Sequence, residues 1–172
     1  SVMQGGSRRS AIYASLNWLH EDIPLFMKIK NWSDDVKFMK EKDFNFPAML
    51  DMTNISINYD NKWKYNADRA NLHTFVENCR QAMMTGEPGF SFNFDEKENE
   101  TLRNACTEVT SEDDSDVCNL GSINMGNIDS LEEFQSVVIL ASKFLVCGTL
   151  RADLPYDKVY KVREKNRRLG LG

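Results

Sequence analysis

Short apolar runs alternate with stretches of helical spacing along the first part of the chain, and this alternation limits the possible folds more than any other feature. Residues 11–18 are mostly apolar and read as a buried strand. Glu21, Asp22 and Pro24 then open a helix on which Ile23, Phe26, Met27 and Lys30 keep helical spacing. A second short helix is expected over 35–42. Ile55, Ile57 and Tyr59 alternate as in a strand. A longer helix is expected over 67–85, with Leu72, Phe75, Val76, Cys79, Ala82 and Met83 as its buried face. Gly86, Glu87, Pro88 and Gly89 stop that helix, and Phe90, Phe92 and Phe94 alternate as a short strand. Strands alternating with helices predict an α/β fold with a mainly parallel sheet, and ligands then belong at the loops leaving the strand ends.

The remainder is less regular. Residues 1–10 read as a Gly-rich basic loop, 95–100 as an acidic turn, and 101–128 as irregular chain with short extended pieces. Ser130 can cap a helix with Glu133 three residues on. That helix would turn Phe134, Val137, Val138, Ala141 and Leu145 inward. Glu112, Asp113, Asp114 and Asp116 read as a solvated loop, with metal binding as the minor alternative, and the basic stretch 158–168 as an exposed helical face. The chain opens on Ser1 and stops at Gly172, without the polar tails that usually finish a domain. The expectation is a single partial domain over 1–172, cut at both ends.

Composition excludes several classes. With 172 residues, 41% hydrophobic and 27% charged, the chain can bury a core and is neither a disordered tail nor a miniprotein. A net charge of -5 argues against a general grip on DNA or RNA. Cys79, Cys106, Cys118 and Cys147 form no C-x-x-C, and His20 and His73 are the only histidines, so no metal site is expected. The spacings do not read as a secreted disulfide framework, and reduced thiols in a cytoplasmic setting fit better. No apolar run is expected to reach the ~20 residues of a membrane span. Cys79 and Cys147, on apolar helical faces, read as core. His20 reads as a cap or packing residue.

Two segments carry candidate chemistry. Gln4, Gly5, Gly6, Ser7, Arg8 and Arg9 combine glycines that let backbone amides approach an anion with two guanidinium forks. The bland alternative, favoured by composition alone, is a basic surface turn. Asn104, Cys106 and Glu108 occupy alternate positions, so an extended stretch would turn an amide, a thiol and a carboxylate to one face. Such a cluster offers a nucleophile or radical carrier, a general base and a hydrogen-bonding group. Cys118 follows ten residues after Glu108, close enough for redox exchange. The competing reading makes both thiols small buried hydrophobes.

Taken in order, Gln-Gly-Gly-Ser-Arg-Arg-Ser at 4–10, Thr-Gly-Glu-Pro-Gly-Phe at 85–90, Asn-Ala-Cys-Thr-Glu at 104–108, Cys-Asn-Leu-Gly-Ser-Ile-Asn at 118–124 and Asn-Arg-Arg-Leu-Gly-Leu-Gly at 166–172 resemble the catalytic subunit of ribonucleotide reductase. The wording of 104–125 is most similar to the adenosylcobalamin-dependent branch. The resemblance implies a portion of a ten-stranded α/β barrel, and reduction of ribonucleotides to 2'-deoxyribonucleotides for DNA synthesis. It implies that Cys106 carries a thiyl radical, Glu108 acts as base and Asn104 holds the ribose hydroxyls. Cys118 would be one member of a redox pair. Gln4, Gly5, Gly6, Ser7, Arg8 and Arg9 would form the loop that reports a nucleoside triphosphate effector to the substrate base. Adenosylcobalamin, ATP or deoxynucleotide effectors, a thioredoxin-like reductant and a homo-oligomer of the full-length protein are implied with it. Ala105 departs from the Pro of many relatives, and no upstream cysteine other than Cys79 is present to pair with Cys118. The chain alone is expected to be inactive. Three other readings remain: the diiron-dependent large subunit, a non-catalytic nucleotide-binding module derived from the fold, and a small thiol-redox protein.

Overall fold

A computed structural model describes residues 3–4, 8–65, 69–94 and 101–172. The chain forms two compact units, Ser1–Thr110 and Ser111–Gly172.

In the first unit, β1 (Met3–Gln4) and β2 (Arg8–Arg9) pair antiparallel, so a small hairpin stands where a loop was expected. β3 (Ile12–Asn17), α1 (Ile23–Lys28), α2 (Asp34–Lys42), β4 (Thr53–Tyr59), α3 (Asn61–Tyr65), α4 (Arg69–Thr85), β5 (Gly89–Phe92) and β6 (Leu102–Arg103) follow. β3, β4 and β5 form a parallel sheet in that order, as the strand–helix alternation predicts. The local chemistry explains the helix ends. His20 Nδ1 accepts from the Asp22 amide at 3.1 Å just before α1, and Pro24 occupies its first turn. Ser33 caps α2, whose first turn carries Asp34 and Asp35 and whose last carries Lys40 and Lys42, matching the helix dipole. α4 ends at Gly86, whose φ of 83° suits glycine, and the Gly86 amide donates to Ala82 O.

The central strand β4 is buried on both faces, and the two faces differ in chemistry. Ile55, Ile57 and Tyr59 point to one side, where Ile57 and Tyr59 meet Trp18, Ile23 and Met27, with Phe26, Trp63, Phe75 and Phe90 packed around them. The Tyr59 ring lies 4.9 Å from Trp63 and 5.5 Å from Phe75, and burial pushes its hydroxyl up to about 12. On the other side the register aligns Ser15 with Ser56 and Asn17 with Asn58 and then Ser91. Gly89 pairs with Ser56 there, and a Cβ at Gly89 would meet Ser56 Oγ at 2.9 Å, so a larger residue requires the buried Ser56 hydroxyl to shift. Asp60 closes the end of β4 by accepting from Trp18 Nε1 and Asn17 Nδ2, each at 3.0 Å. Burial works to raise its carboxyl, and those bonds together with the Trp63 and Lys62 amides outweigh it, holding the acid below its ordinary 3.8.

α4 departs from the expected buried face. Phe75, Val76, Cys79 and Ala82 are half-buried, whereas Leu72 and Met83 are 60% and 88% exposed. The fully sheltered residues are Asn78 and Gln81: Asn78 Nδ2 donates to Tyr59 Oη at 3.1 Å, and Gln81 Nε2 donates to Asn31 Oδ1 at 2.6 Å. Cys79 is thus half-buried rather than core.

The boundary between the units falls within β7 (Thr110–Ser111), and the second unit continues through β8 (Cys118–Gly121), a 3-10 turn Met125–Asn127, α5 (Leu131–Arg151), α6 (Asp157–Asn166) and β9 (Arg168–Leu171). β8 and β9 are parallel, with Cys118 opposite Arg168. Ser130 caps α5, accepting from the Glu133 amide at 3.1 Å, and Glu133 reaches back to the Asp129 amide at 2.9 Å. The glycine-bearing terminal string, left without an element by the sequence, is β9.

α5 has 21 residues and is apolar on most sides, and among the described residues it alone is long and apolar enough to cross a membrane, contrary to expectation. It packs against β8 and β9, with Leu145 lying over Gly121 of β8. Only that flank is covered, which leaves Leu140 and Phe144 exposed and places Cys147 at the surface rather than in a core. The basic stretch of α6 is not simply an exposed face either. Val159, Val162 and Arg163 are buried, and Arg163 Nη1 donates to Thr149 O and Ala152 O at 3.1 Å, closing the C-terminus of α5.

Ile57→Ala should lower unfolding stability by about 2–5 kcal/mol, whereas Leu72→Ala should stay within about 0.5 kcal/mol, as measured by urea unfolding. Asp60 releases its proton more readily folded than unfolded, so the unfolded chain takes up more protons as pH falls. Its contribution is complete above the ordinary carboxylate value and is lost as pH falls through the lower folded one. Asp60→Asn should remove that part of the acid slope in unfolding measured against pH.

Candidate active site

Residues 104–108 form a turn and not the extended stretch that would align three side chains by alternation. The Thr107 amide donates to Asn104 O at 3.0 Å, and Thr107 sits at φ 70°, in the left-handed region. The turn still gathers the predicted groups. Asn104 Nδ2 donates to Glu108 Oε1 at 2.6 Å, while Asn104 Oδ1 accepts from the Val109 amide at 3.2 Å. Cys106 lies at the exposed tip between them, and Glu108 is exposed as well. One amide therefore orients the carboxylate while the thiol faces outward.

The polar face of the sheet supports this turn. Asn54, on β4, donates through Nδ2 to Ala105 O. Asn93, 5% exposed, donates to Asn58 Oδ1 at 2.6 Å and Ser91 Oγ at 3.0 Å, and accepts from both the amide and the hydroxyl of Thr101. A cavity of about 410 Å³ lies beside the turn, lined by Ala11, Tyr13, Ser15, Thr101, Arg103 and their neighbours. These polar supports escaped the sequence reading. The only signal was the placing of Asn and Ser between the apolar residues of β4 and β5, a pattern that also describes an ordinary solvated face.

The Thr85-Gly86-Glu87-Pro88-Gly89 segment has a structural explanation. Glu87 Oε1 accepts from the Ile55 amide at 3.1 Å before β5 begins, and Glu87 also pairs with Lys30, which donates to Thr53 O. The segment thus finishes the hydrogen-bonding of β4 at its first residues.

Gln4 and Arg8 are partners in register between β1 and β2, and Arg9 faces Met3. Gly5, Gly6 and Ser7 lie outside the described residues, as does the expected acidic turn at 95–100. Among the described residues no group of three or more His, Cys, Asp or Glu is placed to hold a metal ion.

Cys118 lies in the second unit, half-buried on β8, with Sγ 3.7 Å from Asn119 O. The acidic run before it is not a free solvated loop. Asp113 pairs with Lys165 at 2.8 Å, Asp114 with Lys158 at 2.7 Å, and Asp116 with Arg168 at 2.6 Å. Asn166 bridges Asp113 and Asp116. The Lys165 and Asn166 bonds hold Asp113 below the ordinary range. For Asp116, partial burial works upward and is outweighed by bonds from Ser111, Arg168 and Asn166.

Treating the chain with iodoacetamide and mapping the peptides by mass should show Cys106 and Cys147 labelled before Cys79 and Cys118. Faster labelling of Cys79 or Cys118 than of Cys106 would contradict the exposed turn.

Comparison with known proteins adds two findings. Residues 52–172 match the family described as ribonucleotide reductase, barrel domain. The chain is also similar, at 26% identity over 99% of its length, to a protein of Mycobacterium phage D29 whose name proposes an adenosylcobalamin-dependent ribonucleoside-triphosphate reductase. It spans 25% of the length of that relative.

Proposed function

This chain belongs to the ribonucleotide reductase family, in its barrel domain, and on that premise we propose that it carries the radical turn of a ribonucleotide-reducing enzyme. The observation that carries the reading is the Asn104–Glu108 hydrogen bond at 2.6 Å, with the Cys106 thiol exposed in the turn between them. A thiyl radical at Cys106 Sγ takes the 3'-hydrogen of the ribose. Glu108 takes the 3'-hydroxyl proton, and Asn104 orients that carboxylate and holds the hydroxyls. The 2'-hydroxyl leaves as water. A dithiol that includes Cys118 supplies two electrons and two protons and ends as a disulfide, and Cys106 returns the hydrogen to C3'. The sum is ribonucleotide plus dithiol giving deoxyribonucleotide, disulfide and water.

The hairpin of Gln4 and Arg8 suits the reading of this segment as the effector-reporting loop, with Gly5, Gly6, Ser7 and Arg9 completing it. A nucleoside triphosphate effector, a thioredoxin-like reductant and homo-oligomeric assembly belong to the full-length protein in this proposal.

The relative's name supports adenosylcobalamin as the radical source. The described residues offer no seat for it on the Cys106 side. The cavity there, at about 410 Å³, is smaller than a corrin with its nucleotide loop, and the larger groove of about 820 Å³ runs between α1 and α4, beyond the apolar face of the sheet. No step above is routed through the cobalamin, and Cys106, Glu108, Asn104 and Cys118 are the groups this chain supplies.

In the full-length reductase, Cys106→Ser should abolish deoxynucleotide formation while nucleotide binding, followed by equilibrium dialysis, survives. Turnover retained by this variant would overturn the reading.

A further inference from the structure

We propose that Arg103 is a positioning residue for the turn that bears Cys106, an inference that rests on the radical-thiol reading above. Its guanidinium joins two parts of the first unit. Nε donates to Ser91 Oγ at 2.9 Å, Nη2 reaches Phe92 O at 3.4 Å, and Nη1 reaches Thr107 O at 3.4 Å. One planar fork thus ties β5 to the carbonyl of the residue that separates Cys106 from Glu108.

That residue is where the turn needs support. Thr107 is β-branched and sits at φ 70°, a conformation such residues keep only when their surroundings impose it. The Asn104 carbonyl holds the Thr107 amide, and Arg103 holds the Thr107 carbonyl, so the peptide units on both sides of its Cα are fixed. Without the second contact this carbonyl is free to rotate, and the Glu108 carboxylate moves relative to the thiol.

The anchor at the other end is rigid. Ser91 is fully buried and also accepts from Asn93, which in turn grips Thr101 two residues before Arg103. A lysine could reach one of these partners and not both sides, because a single ammonium lacks the fork. Arg103 also lines the cavity beside the turn, so direct contact with substrate is the rival role to be separated by experiment.

The test uses the full-length reductase, with Arg103→Ala and Arg103→Lys assayed beside Cys106→Ser. Misplacing reacting groups without changing the contacts that bind substrate lowers kcat and spares KM. Arg103→Ala should lower kcat by about 100-fold with KM within about threefold of the parent, and Arg103→Lys should recover part of the loss. A kcat for Arg103→Ala within about twofold of the parent overturns the proposal. So does a rise in KM at unchanged kcat, which would mark substrate binding. If Arg103→Ala does not fold, Arg103→Lys decides: a lowered kcat at steady KM supports positioning, and a parental kcat overturns it. Turnover retained by Cys106→Ser overturns the radical reading itself, so the two failures are distinguishable.

Discussion

The Asn93 carboxamide, almost wholly buried, has its donors on Asn58 and Ser91 and its acceptor on Thr101. A buried amide left without partners costs about 1–3 kcal/mol, so its bonds pull together strand β4, strand β5 and the segment leading to Cys106. The rest of the first unit depends on that arrangement. The apolar face of β4 can pack Ile57 and Tyr59 under the helices because the opposite face is satisfied by polar groups from its own neighbours and not by solvent. The Cys106 turn is in this sense an extension of the sheet, held from below by Asn54 and from the side by Arg103.

Much of the architecture was legible in the chain. Apolar alternation located β4, the Pro24 opening located α1, and Ser130 with Glu133 located the start of α5 to the residue. These are local signals, each complete within a few residues. What stayed hidden depends on register. Asn58 and Ser91 each look like solvent-facing positions of a half-buried strand, and they become an interior only when parallel pairing aligns them. Asn78 and Gln81 were hidden for the same reason: their partners, Tyr59 and Asn31, lie far along the chain.

The candidate site was singled out by residue types, and its shape was not foreseen. Asn104, Cys106 and Glu108 were singled out by alternation, yet a turn brings them together. Thr107 gives no sequence signal for a left-handed backbone, since threonine disfavours it. The charges of the second unit show the same limit. An acidic run and a basic run, forty-odd residues apart and each resembling a solvated surface, prove to be partners.

That pairing grades the response of the second unit to dissolved ions. The Asp114–Lys158 pair is mostly exposed, with side chains 61% and 59% open to water, and electrolyte screens such contacts readily. The Asp116–Arg168 pair lies deeper, its carboxylate only 10% exposed and bonded also to Ser111 and Asn166. Rising ionic strength therefore detaches the loop from its tip and leaves its root in place. Cys118 follows that root directly and is paired with Arg168 in the strand register. The thiol is thus insulated from ionic conditions that free the loop a few residues away.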